Sequence, residues 1–421
     1  MQLRRQRLLL LCLLVCCAVG LTGCWDKKEF NKISMVSAMA VDKEKDEYIL
    51  TVQIMMPKNL QEGGENSPTW ILKGRGPTLQ AAVDDLNDRS PRKMNWGHMN
   101  VVILGESALK EDIHKSLDFF VRGQEFRRRN YFLAAEGNGG EILEAAPELA
   151  ELNTFYLYSL IEDQEARVDH SMVTLNDLLI GLYTEGKDLY LPRVRLVDKE
   201  NLTDDDQEGQ DQESGQQQSS EQSGENQQGG EGKSGQKEEE QKKGQQLLEL
   251  NGGALIGDDH LLGWADQEWQ NGYYWVKGRI SGGSVTVAHP SGEKGDLLGI
   301  QVVNSKSHIS LVKEDPLTLK IEVKAQLNAL EDTRKEVGTA ITRTTEDVVR
   351  LEEAFSQKVQ QDILHSLEEA QKANVDAFGF GQYLQAFHPE LAKKLDWDHY
   401  LEQLHFEVEV KGKLRPSVIV S

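Results

Sequence analysis

The side chain with the most specific chemistry is the thiol of Cys24. It follows Leu21-Thr22-Gly23, an apolar residue and two small ones. This is the pattern of a bacterial lipobox: small residues let the strand enter a signal peptidase cleft, and the thiol takes a diacylglyceryl group before cleavage. Upstream, Arg4, Arg5 and Arg7 precede the apolar run Leu8 to Val19, about 12 residues where a spanning helix needs ~20. Residues 1–23 are therefore read as a cleaved signal peptide. Cys24 is the site of S-diacylglycerol and N-acyl modification, and the only prosthetic group expected is that covalent lipid, with no cofactor. Cleavage removes three Arg and no acids, so the net charge goes from −22 to −25. Two or more acyl chains anchor a protein stably without a spanning helix. The four cysteines, Cys12, Cys16, Cys17 and Cys24, all lie at this end. A disulfide framework, a thiol nucleophile and a Cys-based zinc site are thereby excluded from the body.

Other chemical motifs fall short of their requirements. Gly232-Lys233-Ser234 ends like a phosphate loop, but Gln227 stands where its first glycine belongs. Gly105-Glu106-Ser107-Ala108-Leu109 begins like a nucleophile elbow without the closing glycine. Gly379-Phe380-Gly381 lacks the third glycine of a dinucleotide fingerprint, and Asp258-Asp259-His260 reads as an exposed turn in preference to a metal site. The ten histidines form no HExxH. No metal site and no catalytic constellation is expected. Two clusters remain. Arg122, Arg127, Arg128 and Arg129 gather positive charge in an acidic chain, either as a docking patch or as ion pairs with Asp118, Glu125 and nearby acids. Trp264, Trp269 and Trp275 either line a ligand cleft or fill a small core.

The elements that must position these groups follow from composition and period. A length of 421 residues suggests two or three domains. With 38% hydrophobic and 28% charged residues a packed core is expected. The balance of 47 Lys+Arg against 69 Asp+Glu disfavours nucleic acid as a partner. The alternation of Tyr48, Leu50, Val52, Ile54 and Met56, returning through the polar turn Lys43–Asp46, predicts a β-hairpin over 33–56. Leu79, Ala82, Val83 and Leu86 behind Pro77-Thr78 predict a helix. A strand at Val101–Leu104, a helix carrying Ile113, Leu117, Phe120 and Val121, and a strand at Tyr131–Ala135 complete a mixed α/β domain. Residues 203–246 hold no apolar residue and are expected to be disordered.

Beyond that tract, 253–256, 261–264 and 273–276 read as short strands around Trp-rich packing. Further strands are expected at 299–303, 308–312 and 317–327, a long helix from about Thr345 to Lys372, and a closing strand at Phe406–Val410. The fold class is thus α+β, in five segments: signal peptide 1–23, N-terminal mixed α/β domain 24–200, disordered polar linker or loop 201–246, small Trp-rich β domain 247–293, and C-terminal α+β domain with the long helix 294–421.

Several motifs in order resemble the Ger(x)C lipoproteins, the C subunits of nutrient germinant receptors in endospore-forming bacteria. They are Cys24-Trp25-Asp26 with Glu29; Arg92, His98 and Val101–Glu106; Asp118-Phe119-Phe120-x-Arg122-x-x-Glu125-x-Arg127; Gly253-Ala254; Gly263-Trp264-x-x-x-Glu268-x-x-x-Gly272-x-x-Trp275; and Asp376-x-Phe378-Gly379-Phe380-Gly381, Pro389 and Trp397. The polar tract is longer than the family's variable segment there, and Ser107 stands where an acidic residue is common. The resemblance implies a three-domain ectodomain on the outer face of the spore inner membrane, without enzymatic activity. Its implied partners are an A subunit and a permease-like B subunit, and it leaves open whether this subunit takes a nutrient ligand. Trp25 and Asp26 beside the membrane, with the Arg122–Arg129 cluster, are the candidate partner contacts. The rival readings are a solute-binding lipoprotein of a transporter, which requires two similar lobes about a hinge, and a coat-modifying enzyme, which requires an acid/base pair in a cleft.

Overall fold

The computed structural model describes residues 33–55, 69–123, 125–145, 157, 161, 172–184, 186–198, 246–278, 280, 282–289, 296–333 and 344–415. Among the described residues the first sheet has ten strands: β1 (Ile33–Glu44), β2 (Glu47–Met55), β3 (Thr69–Gly76), β4 (Lys93–Asn95), β5 (Val101–Gly105), β6 (Tyr131–Ala135), β7 (Val173–Thr174), β8 (Leu189–Asp198), β9 (Gln246–Gly257) and β10 (His260–Ala265). Its order is β10-β9-β8-β6-β5-β1-β2-β3, with β4 beside β1 and β7 beside β6. The central strands β1, β5, β6 and β8 run parallel, β4 pairs parallel with β1, and the remaining pairs, β1-β2, β2-β3, β6-β7, β8-β9 and β9-β10, are antiparallel.

Parallel strands must be covered on both faces, which accounts for unbroken apolar runs such as Val101-Val102-Ile103-Leu104. Val102, Leu104 and Phe132 pack under α1 (Leu79–Arg89), α2 (Glu106–Leu109), α3 (Ile113–Arg122) and, further along the chain, α5 (Leu175–Leu182). On the other face Val101, Ile103 and Leu133 meet Ile142 and Leu143 of α4 (Gly139–Glu144), together with Leu157 and Ile161. The expected α1 face, Leu79, Ala82, Val83 and Leu86, is the buried one, and Thr78 caps the helix through the Ala81 N–H.

The second sheet, β11-β12-β13-β14, comprises Ser284–Ala288, Leu297–Glu314, Leu317–Asp332 and His405–Leu414. The three strands expected between 299 and 327 are two long ones, because β12 and β13 pair over their whole length and absorb register shifts at three places. β13 and β14 are parallel and joined through α7 (Thr345–Ala373), α8 (Phe380–Phe387), α9 (Pro389–Ala392) and α10 (Tyr400–Gln403). α7 starts in a capping box formed by Thr344 and Asp347, and it buries Leu351, Phe355, Val359, Ile363, Leu367 and Ala370.

Residues 273–276 are not a strand. They lie in α6 (Gln267–Lys277), capped by Asp266 and ended by Gly278 in the left-handed region at φ 61°. Nearly the whole circumference of α6 is buried, from Trp269 and Gln270 through Val276, so no polar stripe marks its period. Nor do residues 247–293 stand apart: β9 and β10 extend the first sheet, whereas α6 and β11 belong to the core of the second. Residues 199–245, which include all of the polar tract but Gln246, lie outside the described residues, and Gln246 opens β9.

Candidate functional site

The arginine cluster divides in two. Arg122 ends α3 and pairs with Asp118 one turn earlier, at 2.7 Å. Arg127, Arg128 and Arg129 form an exposed turn before β6 and have no carboxylate partner among the described residues. The turn is held from beneath by its backbone. The Asn130 N–H donates to the Arg127 carbonyl, Asn176 N–H donates to the Arg128 carbonyl, and Leu175 N–H donates to the carbonyl of Asn130. With its amide oriented to satisfy its neighbours, buried Asn130 also donates to the carbonyls of Met99 and Arg127. Three cations are thus held at the surface without an acidic partner among the described residues, a geometry suited to phosphates or carboxylates.

Behind the turn lies an open cleft of about 810 Å³. Tyr48, Leu79, Met94, Trp96, Phe119 and Phe126 line it, with Lys43, Lys93, Lys115 and Arg122 among its charged residues. Phe126 packs 5.6 Å from Trp96 and 5.1 Å from Phe119, centroid to centroid. Lys43 is tied to Glu111 at 2.8 Å.

A second polar cleft separates the sheets, between Gly186–Asp188 with Gly257–Asp258 on one side and Asn374–Leu401 on the other. Asp376 is fully buried. Its carboxylate accepts from the N–H groups of Gly379, Phe380 and Gly381 and from the Tyr400 hydroxyl at 2.5 Å. The glycine-rich run after Asp376 is therefore the start of α8, capped by a carboxylate. Gly379 at φ 79° is a backbone position that strains other residues. Burial pushes the Asp376 pKa up, against those four donors. Across the cleft the Asp376 N–H donates to the Asp188 carboxylate at 2.6 Å and the Asp188 N–H donates back to the Asp376 carbonyl at 3.0 Å. Burial first, then the nearby carboxylates of Asp376 and Asp258, push Asp188 up to about 6.

The remaining motifs are structural. The Ser107 hydroxyl accepts from the Lys43 N–H at 2.9 Å. Gly105 gives room to Asp42, whose buried carboxylate accepts from the N–H groups of Gly139 and Gly140 at 2.8 and 2.9 Å. Asp258 and Asp259 occupy the two positive-φ positions of the β9–β10 turn, as a two-residue hairpin requires. No grouping of metal-ligating side chains occurs among the described residues. Trp269 and Trp275 are core residues, 2% and 1% exposed; Trp264 is half-buried with the Arg193 guanidinium over its ring. Cys24, Trp25 and Asp26 lie outside the described residues, and no described helix is long and apolar enough to cross a membrane.

Sequence reasoning missed Asp42, Asp188 and the capping role of Asp376. For Asp376 the signal was present, an Asp three residues before a glycine that opens an apolar turn. For Asp42 and Asp188 the partners lie 97 and 188 residues away, and no local pattern announces them.

Two family models cover most of the chain: the spore germination protein N-terminal domain over residues 26–196, and the spore germination B3/GerAC-like C-terminal domain over residues 251–417. Spore germination protein B3 of Bacillus subtilis (strain 168) is 22% identical, covering 94% of both chains. Spore germination protein KC of the same organism is 22% identical over 97% of this chain and 96% of its own. A crystal structure of the GerBC protein shares the fold at a TM-score of 0.52 and 18% identity, covering 89% of this chain and 96% of that one. The chain belongs to the Ger(x)C family of spore germination proteins.

Proposed function

We propose that this chain is a lipid-anchored, non-enzymatic C subunit of a nutrient germinant receptor, acting in assembly and signalling at the start of spore germination. The observation that carries the reading is the match of both halves to spore germination domains, in order and over nearly the whole body. On this reading Cys24 carries the acyl chains, on the outer face of the spore inner membrane. An A subunit and a permease-like B subunit are the partners, and Trp25, Asp26 and the arginines Arg122, Arg127, Arg128 and Arg129 are the candidate contacts. Ser107 and the Asp258–His260 turn, the nearest approaches to catalytic or metal chemistry in the sequence, both have structural partners. The solute-binding alternative calls for two similar lobes; sheets of ten and four strands are unlike.

The test is to purify the protein from spore membranes, weigh its N-terminal peptide and identify what co-purifies. The reading expects a mature chain beginning at an acylated Cys24, together with both membrane subunits. An unmodified N-terminus, or a chain that brings down neither subunit, contradicts it.

A further inference from the structure

The geometry points to the Arg127–Arg129 turn, with the exposed apolar side chains beside it, as a surface that lies against anionic lipid headgroups. The proposal rests on the lipid anchoring argued above and adds an orientation to it.

The turn and the chain's entry share one end of the first sheet. β1 is parallel to β5 with Ala38 opposite Val101, and β5 is parallel to β6 with Val101 opposite Tyr131. All three strands therefore begin at that end, where Arg127–Arg129 lead into Tyr131. β1 starts five residues before Ala38, at Ile33, so it runs roughly 17 Å further outward at ~3.3 Å per residue. Cys24 is nine residues before Ile33, a span of at most ~32 Å in any conformation. An acyl group on Cys24 holds this end of the sheet near the bilayer.

The surface there is mixed in the way an interface favours. Ile180 on α5 and Tyr183, the residue that caps its C-terminus, are 54% and 77% exposed, and Val121 on α3 is 43% exposed. The pieces are contiguous: Tyr183 packs edge-on to His114 and lies within electrostatic range of Arg122, and the start of α5 bonds the arginine turn. Tyrosine favours the headgroup level. Arginine forks match phosphate oxygens, and each basic residue near an anionic surface adds to binding. The rest of the chain carries net negative charge and is repelled by the same surface, so the patch sets which end faces the lipid. Against an acidic protein partner stands the position of the patch, beside the strand that leads back to Cys24.

The test is vesicle flotation of residues 24–421 bearing Cys24→Ser. This chain contains every described element and has no acyl group, so the result does not depend on whether Cys24 is modified; that question is answered separately by the peptide mass. The proposal expects co-flotation at 50 mM salt with vesicles of 30% phosphatidylglycerol in phosphatidylcholine, loss at 300 mM salt, and none with phosphatidylcholine alone. Arg127→Glu, Arg128→Glu and Arg129→Glu together should lower partitioning at least tenfold with an unchanged circular dichroism spectrum, and Lys411→Glu should leave it unaltered. Indifference of the wild-type chain to the anionic vesicles, or equal flotation of the triple variant, overturns the proposal. So does an arginine triple variant that loses only the co-purifying membrane subunits, which assigns the patch to a protein partner.

Discussion

The two sheets solve burial differently. In the first, neighbouring positions of one strand go to opposite cores: Val102 and Ile103 are both fully buried, one under α3 and the other over α4. In the second, β13 alternates. Leu319, Ile321, Val323 and Ala325 face α7, while Lys320, Glu322 and Lys324 face outward. That outer face carries cross-strand ion pairs, Lys320 to Glu409 at 2.6 Å and Lys411 to Glu322 at 3.2 Å, and the two lysines hold Glu409 down at about 2. A sheet covered twice is insensitive to which face a residue occupies. A sheet covered once depends on the register and on its single large helix.

That dependence predicts the largest effect. Phe355 on α7 is fully buried, meets the Trp275 ring edge-on at 5.7 Å and lies against Gly412. Phe355→Ala should cost about 4 kcal/mol, read as a fall in the urea midpoint. Next comes the crossing of α6 and α7, where a Cβ on Gly272 would come within 2.2 Å of the Asp362 carbonyl oxygen. Backbone cannot yield as a side chain can, so Gly272→Ala should cost roughly 3 kcal/mol. If that variant proves neutral, the helices are not packed as described.

The face series sharpens the contrast. Ile103→Ala and Val102→Ala, adjacent in β5, should cost about 3 and about 2 kcal/mol. In β13 Val323→Ala should cost about 2 kcal/mol, and Lys324→Ala less than ~0.5 kcal/mol. Equal losses at Val323 and Lys324 would mean that the outer face of the second sheet is also covered.

A pH-dependent effect lies in the cleft joining the two sheets. Asp188 at about 6 titrates well above the ordinary carboxylate value of ~3.9, so the folded chain binds protons more tightly than the unfolded one. The stability this provides is complete below about pH 4 and is lost as pH rises through about 6. Asp188→Asn keeps an acceptor for the Asp376 N–H and cannot ionise. It should flatten the change in stability between pH 4.5 and 7.5 by about 2 kcal/mol. An unaltered pH profile would show that Asp188 is better solvated than its place in the cleft implies.

The same contrast decides what could be read in advance. Where one face is solvated, the period is written in the residues: α1, the closing strand and the buried face of α7 are legible, and α7 ends within one residue of expectation. Where both faces are buried, period disappears. α6 looks like a strand because Tyr273, Tyr274, Trp275 and Val276 are all inside, and its identity rests on the Asp266 cap and on Gly278. Assignment of β9 and β10 to the first sheet depends on pairing with β8 across the polar tract, which nothing local encodes. The candidate contacts were partly legible: the arginines were identified by charge, but only the fold separates Arg122, paired with Asp118, from the turn at 127–129, which has no acidic partner among the described residues.

The most direct measurement is germination of spores lacking this gene, complemented by the wild-type chain or by Cys24→Ala. Nutrients are compared with a trigger that bypasses receptors, in a strain where no sister receptor answers the same nutrient. The account predicts loss of the nutrient response alone, restored by wild type and poorly by Cys24→Ala. A nutrient response that survives the deletion would contradict the receptor-subunit reading.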